Sequence, residues 1–197
     1  VGNELDLSKY FTGAYQCKAT LAEDGTLCLD TANTPSSIAS RDPYIYIKLA
    51  ALIKAMGYEA PDTREYPHMV LRVRSEGRTG KVFSLFGYSS KTPSGAGITG
   101  QLDRYVANSE DWQYVYFDLS SYQKNLITYR FDLTNSALAN GESLYISDIS
   151  FYATAEEATA LLSPDVYPVI EQTADNYTAK IMSFNVQTEN GTQVRPD

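Results

Sequence analysis

Along most of this chain apolar residues alternate with polar ones, and only briefly do they recur at helical spacing. The alternation is carried by "TLCLD" (26–30), "PYIYIKL" (43–49), "HMVLRVRS" (68–75), "KVFSLFGY" (81–88), "WQYVYFDL" (112–119), "NLITYRFDL" (125–133) and "LYISDISFY" (144–152). A period of two sends successive side chains to opposite faces, so each segment predicts a half-buried strand. Clusters such as "TPSGAGITG" and "TNSALANGE" mark the turns between them, and "NELDLSKYFTGAY" leads into a first hairpin. Two stretches differ. "LAALIKAMG" (49–57) predicts a short helix stopped by glycine. "TAEEATALL" (154–162) has a Thr followed three residues on by Glu, the capping-box spacing, and predicts another. Strands without long alternating helices make an all-β chain, an antiparallel β-sandwich with short helices in its connections and at its C-terminal edge.

After the second helix the pattern stops. "SPDVYPVIEQTADNYT" has two prolines and little periodicity and reads as a linker. Beyond it the run Ile181 to Val186 is followed by "TENGT", which promises a turn and a partner strand. The division expected is a module over 1–162, a linker over 163–178 and the start of a second domain over 179–197. A lone apolar strand could instead add to a sheet edge.

Splitting the strands by face separates two kinds of surface. Ile45, Ile47 and Leu49, then Met69, Leu71 and Val73, are apolar; so are Val115, Phe117 and Leu119 (grouped with Gln113), and Ile127, Tyr129, Phe131 and Leu133. The opposite faces carry Tyr44 and Tyr46, Arg72 and Arg74, Trp112, Tyr114 and Tyr116, and Arg130 with Asp132. If these second faces share one sheet, they form a platform of rings and guanidinium groups suited to the apolar C–H faces and the hydroxyls of sugars. The plainer reading is that Tyr-rich outer faces cover a sheet with their phenols in water.

Composition narrows the partners. A net charge of −8 disfavours nucleic acid, and no apolar run approaches the ~18 residues that span a bilayer. The single histidine, His68, and scattered carboxylates assemble no catalytic constellation, and "GAGITG" lacks the spacing of a phosphate loop. The two cysteines, Cys17 and Cys28, flank a plausible hairpin and could be bridged or reduced. Asp148 stands among apolar residues in its strand and needs a partner; a calcium ion shared with Glu4 or Asp6 would supply one, as would hydrogen bonds to Ser or backbone groups.

"EDWQYVYFDLSS" followed by "ESLYISDISFY" resembles the last strands of galactose-binding-like jelly-roll sandwiches, which include many carbohydrate-binding modules. The resemblance implies a secreted or cell-surface bacterial module that binds glycan, often with structural calcium, and performs no catalysis. "AKIMSFNVQ" resembles the first strand of the endonuclease/exonuclease/phosphatase superfamily, where an Asn at the position of Asn185 helps organise a divalent metal. That resemblance implies a downstream metal-dependent phosphoesterase or nuclease in the same polypeptide. The function expected is therefore a carbohydrate-binding accessory module, with a structural spacer or protein-interaction sandwich as the alternative.

Overall fold

The computed structural model describes residues 6–22, 26–31, 42–76, 81–91, 99–133, 142–160 and 162, and the backbone of three short strands beyond them. A 3-10 turn (Leu7–Lys9) leads into β1 (Phe11–Tyr15), β2 (Lys18–Leu21), β3 (Leu27–Asp30), β4 (Tyr44–Ile47) and helix α1 (Leu49–Ala55). Then come β5 (His68–Glu76), β6 (Lys81–Tyr88), β7 (Leu102–Val106), β8 (Gln113–Asp118), β9 (Thr128–Asp132), β10 (Ser143–Tyr152) and helix α2 (Ala155–Ala160). β11 (Asn176–Ala179), β12 (Val186–Gln187) and β13 (Gln193–Val194) follow.

The strands pair antiparallel in two sheets. One has five strands in the order β1-β4-β9-β6-β7. The centre of the other is β8-β5-β10, with β3 and then β2 along the first half of β10 and β11, β12 and β13 along its last half. Spatial neighbours such as β4, β9 and β6 are far apart in sequence, the crossed-over order of a jelly roll. The backbone from Asn176 thus lies on the sandwich sheet, at the end of the stretch read as a linker. Most of the apolar run from Ile181, Asn185 included, lies outside the described residues.

Each strand buries the face its alternation selects. Ile45, Ile47, Met69, Leu71, Val73, Phe83, Leu85, Val115, Phe117, Tyr129 and Phe131 are buried and belong to one apolar cluster between the sheets. β10 changes parity. Leu144 and Ile146 face the core, then Ile149 and Phe151 do, because an extra residue, Ser147, bulges out between the pairs Ile146–Val73 and Asp148–Arg72.

The helices serve this sandwich. α1 buries Leu49, Leu52 and Ile53 and ends at Gly57, whose φ of 88° and N–H bond to Lys54, with Tyr58 N–H bonded to Ile53, form a Schellman stop. Thr154 caps α2 by accepting from the Glu157 N–H at 3.3 Å, while its own hydroxyl donates to the Glu157 carboxylate at 3.0 Å. α2 lays Ala158 over Val70 and Tyr152 and covers part of the outer face of the β8-β5-β10 sheet. Among the described residues no helix is long and apolar enough to cross a membrane.

Candidate functional site

The outer face of the five-stranded sheet is built by register. Tyr15 lies opposite Tyr44, Tyr44 opposite Asp132 and Tyr46 opposite Arg130; on the other side of β9, Ser84 faces Asp132, Phe86 faces Arg130 and Tyr88 faces Thr128. The rings make a continuous ladder. Tyr15 stacks on Tyr44 with centroids 5.4 Å apart, Tyr44 meets Tyr46 edge-on at 5.6 Å, and Tyr46 meets Tyr88 edge-on at 5.9 Å. Tyr15 is 47% exposed, so the ladder opens to solvent at that end. A bulge in β1 between Thr12 and Tyr15 aims it there. Within the bulge Gly13 takes φ 59°, and a Cβ on it would stand 3.0 Å from the Tyr46 ring, so glycine is what lets that ring lie against the strand.

Arg130 sits at the centre of this face. Its Nε donates to Asp132 Oδ1 at 2.5 Å and its Nη2 to Asp132 Oδ2 at 2.6 Å, while Nη2 also reaches Asp42 at 3.1 Å. The guanidinium lies 3.9 Å from the centroid of Tyr44 and 5.2 Å from that of Phe86. Burial works against the charge, but the Asp132 and Asp42 carboxylates and a hydrogen bond with Tyr46 outweigh it and hold Arg130 firmly protonated. At the edge Asp103 accepts from Ser84 Oγ at 2.6 Å and from Gln101 Nε2 at 2.9 Å. Burial, and then neighbouring Tyr46, push the Tyr44 and Tyr88 phenols above their usual range; Tyr88 itself is buried.

The opposite sheet carries the other expected rings and arginines, already engaged with one another. Arg72 and Arg74 lie 4.5 and 5.4 Å from the centroid of Trp112, and Arg74 is also 3.9 Å from that of Tyr145. Arg74 pairs with Glu76, and Arg72 with Asp148 at 3.7 Å. Tyr116 shares a 2.9 Å hydrogen bond with His68 Nδ1 and packs under α2, while Tyr114 is exposed. His68 is thus a buried packing residue.

The single platform expected from the sequence is therefore divided. Tyr44, Tyr46 and Arg130 come together on one outer face; Arg72, Arg74, Trp112, Tyr114 and Tyr116 belong to the other sheet. Period-two alternation assigns a side chain to a face of its strand, but it does not assign the strand to a sheet. Asp132 joins the first face beside Arg130, as its alternation predicts, while Tyr15, Asp42, Phe86 and Tyr88 also join it and were not among the expected residues. For Phe86 and Tyr88 a signal existed: they alternate with Phe83 and Leu85 less cleanly than usual only because Gly87 fills the inward position against Leu126.

The partner that Asp148 needs is supplied by Arg72 and by the Ser147 hydroxyl, which donates at 2.7 Å. Asp6 accepts from the Ser8 hydroxyl at 2.6 Å within its own turn, and Glu4 lies outside the described residues. Among the described residues no group of three or more His, Cys, Asp or Glu gathers. Both cysteines are free thiols. Cys17 donates to the Tyr44 carbonyl at 3.2 Å, and burial pushes its thiol up to about 12; Cys28 lies opposite Thr20 and Tyr145.

The chain matches no protein-family profile and no curated protein. Among solved structures it is similar to a family 29 carbohydrate binding module from Piromyces equi, at 9% identity over 71% of this chain and 77% of that one, with a TM-score of 0.42. It is likewise similar to a family 30 carbohydrate binding module, at 15% identity over 79% of this chain and 80% of that one, with a TM-score of 0.41.

Proposed function

We propose that this chain is a non-catalytic carbohydrate-binding module whose ligand lies on the outer face of the five-stranded sheet. The observation that carries the reading is the ring ladder Tyr15–Tyr44–Tyr46–Tyr88 running past Phe86, with neutral phenols and the Asp42 carboxylate beside it. Flat rings suit the C–H faces of pyranoses, and the hydroxyls around them can be met by phenols that donate and carboxylates that accept. The opposite sheet is the weaker candidate, since its rings are engaged by Arg72 and Arg74 and α2 covers part of it.

The test is retardation in native gels containing soluble polysaccharides. Tyr15→Ala and Tyr46→Ala should each weaken retention by roughly fivefold to tenfold, for ~1 kcal/mol per aromatic contact, while Trp112→Ala keeps it. The reverse pattern would move the site to the other sheet. A blank result for the unaltered chain across a broad neutral panel would leave a structural spacer or protein-interaction sandwich.

From the sequence of the tail we place this module ahead of a metal-dependent phosphoesterase or nuclease in a secreted or cell-surface bacterial protein, with Asn185 in that downstream domain. Reading the gene past the codon for Asp197 tests this: a Glu within a few dozen codons and later His and Asp-His motifs support it, and a stop codon refutes it.

A further inference from the structure

A guanidinium in the middle of an aromatic face invites the reading that it grips the ligand. Its geometry is against it. The Nε–Nη2 edge, the one that makes two parallel hydrogen bonds to a carboxylate, is filled by Asp132, and Nη2 is shared with Asp42. Tyr46 takes a further hydrogen bond, and the rings of Tyr44 and Phe86 lie against the guanidinium. Only a fifth of the Arg130 side chain is exposed, and 3% of that of Asp132. Asp42 is different: its side chain is 47% exposed, and its cationic partner among the described residues is Arg130, whose Nη2 donates to its two oxygens at 3.3 and 3.1 Å. Asp103 is exposed at the other edge of the same face.

We propose that Asp42 sets the charge selectivity of this face: it accepts hydrogen bonds from the hydroxyls of neutral glycans and repels polymers that carry carboxylates or sulfates, while Arg130 acts as an internal counterion that positions Tyr44 and Phe86. The inference rests on the carbohydrate-binding reading above and names the class of ligand. Its physics is direct. A uronate arriving at Tyr44 meets a carboxylate on Asp42 and finds the pairing edge of Arg130 occupied by Asp132. A hydroxyl at the same place finds an acceptor. Removing the Asp42 charge leaves the hydrogen-bonding shape nearly unchanged, because Asn retains one acceptor oxygen.

The experiment compares one polymer in two forms: the neutral polysaccharide that best retains the protein, and the same backbone oxidised at C6 to carboxylates. Retention is measured at fixed ionic strength for the unaltered chain, for Asp42→Asn and for Glu156→Gln. The last removes the same charge from α2, on the other sheet, and so controls for the net charge of −8. The unaltered chain should prefer the neutral form. Asp42→Asn should lower that preference by about fivefold, the worth of one charge contact near 4 Å in water, with added salt narrowing the difference between the variants. Glu156→Gln should leave it unchanged.

Equal or stronger retention on the oxidised polymer by the unaltered chain would overturn the inference and leave the carbohydrate-binding reading in place. So would an equal loss of preference in Asp42→Asn and Glu156→Gln, since repulsion would then come from the whole molecule. No retention on either form would overturn both readings. Asp103→Asn serves as a second variant: it should lower the preference by less than Asp42→Asn, and a larger drop would transfer the role to Asp103.

Discussion

The coupling between Arg130 and Asp132 gives the sharpest test of how this face is held. Arg130→Met keeps the aliphatic stem against Tyr44 but leaves an almost fully buried carboxylate opposite Ser84 and Tyr44, with the carboxylates of Asp42 and Asp103 nearby. Asp132→Leu removes the carboxylate and leaves Arg130 with Asp42 as its remaining ion-pair partner. Breaking a buried pair by removing one member destabilises by about 3–5 kcal/mol. Here Arg130 is a fifth exposed and retains Asp42, so Asp132→Leu should lose about 3 kcal/mol, at the low end of that range. Arg130→Met should lose about 2 kcal/mol, because the stranded carboxyl can take up a proton. The double variant removes both charges and replaces them with apolar groups of similar size, so it should lose only about 2 kcal/mol, giving a coupling of about 3 kcal/mol. Urea unfolding followed by the fluorescence of Trp112, the one tryptophan and on the other sheet, measures all four proteins. Losses that add to within about 0.5 kcal/mol would refute the pair as a coupled unit and with it the positioning role of Arg130.

Two further outcomes follow from the same geometry. Gly13→Ala puts a Cβ at φ 59° and 3.0 Å from the Tyr46 ring; it should lose ~1–2 kcal/mol of stability and weaken glycan retention as well, and a stable protein with unaltered retention would show that Tyr46 does not depend on the bulge. On the alkaline side, burial raises the Cys17 thiol and the Tyr152 phenol to about 12, and raises Tyr129 and Tyr88 also. The fold favours their protonated forms, so this stability is present in full below the ordinary thiol and phenol values of ~8.5 and ~10 and is lost as pH rises through about 12. The thermal midpoint should therefore fall from about pH 9 upward, and Cys17 should resist thiol reagents at pH 8; free-tyrosine titration without loss of fold would contradict the burial.

The core was legible because burial follows parity. The inward residues of β4, β5, β8 and β9 are those the alternation selects, and the end of α1 and the start of α2 lie near where Gly57 and Thr154 place them. β10 was not fully legible. The bulge at Ser147 shifts parity mid-strand, and it is this shift that brings Asp148 opposite Arg72. Read as an unbroken strand, Asp148 looks like a stranded carboxylate that needs a metal; with one residue bulged out, it has a guanidinium across the ladder. A bulge depends on what the neighbouring strand offers, and one sequence does not print that.

The candidate site failed to emerge for a related reason, visible in a local device that occurs twice. Arg130 pairs with Asp132 two residues on, and Arg74 with Glu76 two residues on, each along one face of a strand. In sequence the two Arg-x-acid pairs look alike. Pairing across strands separates them. Beside Arg74 the partners are Trp112 and Tyr145, whose rings it covers, on a sheet partly roofed by α2. Beside Arg130 they are Tyr44 and Phe86, from which the ladder continues to Tyr15 at the solvent edge on one side and to Tyr46 and Tyr88 on the other. The acidic partners differ too. Asp132 is buried and unavailable to a ligand, which leaves the half-exposed Asp42 to define the charge of the face, and Asp42 stands outside any strand, where face alternation assigns it no place. Long-range pairing thus sets one repeated Arg-x-acid pattern on a sheet partly roofed by α2 and the other beside a tyrosine ladder that reaches solvent at Tyr15.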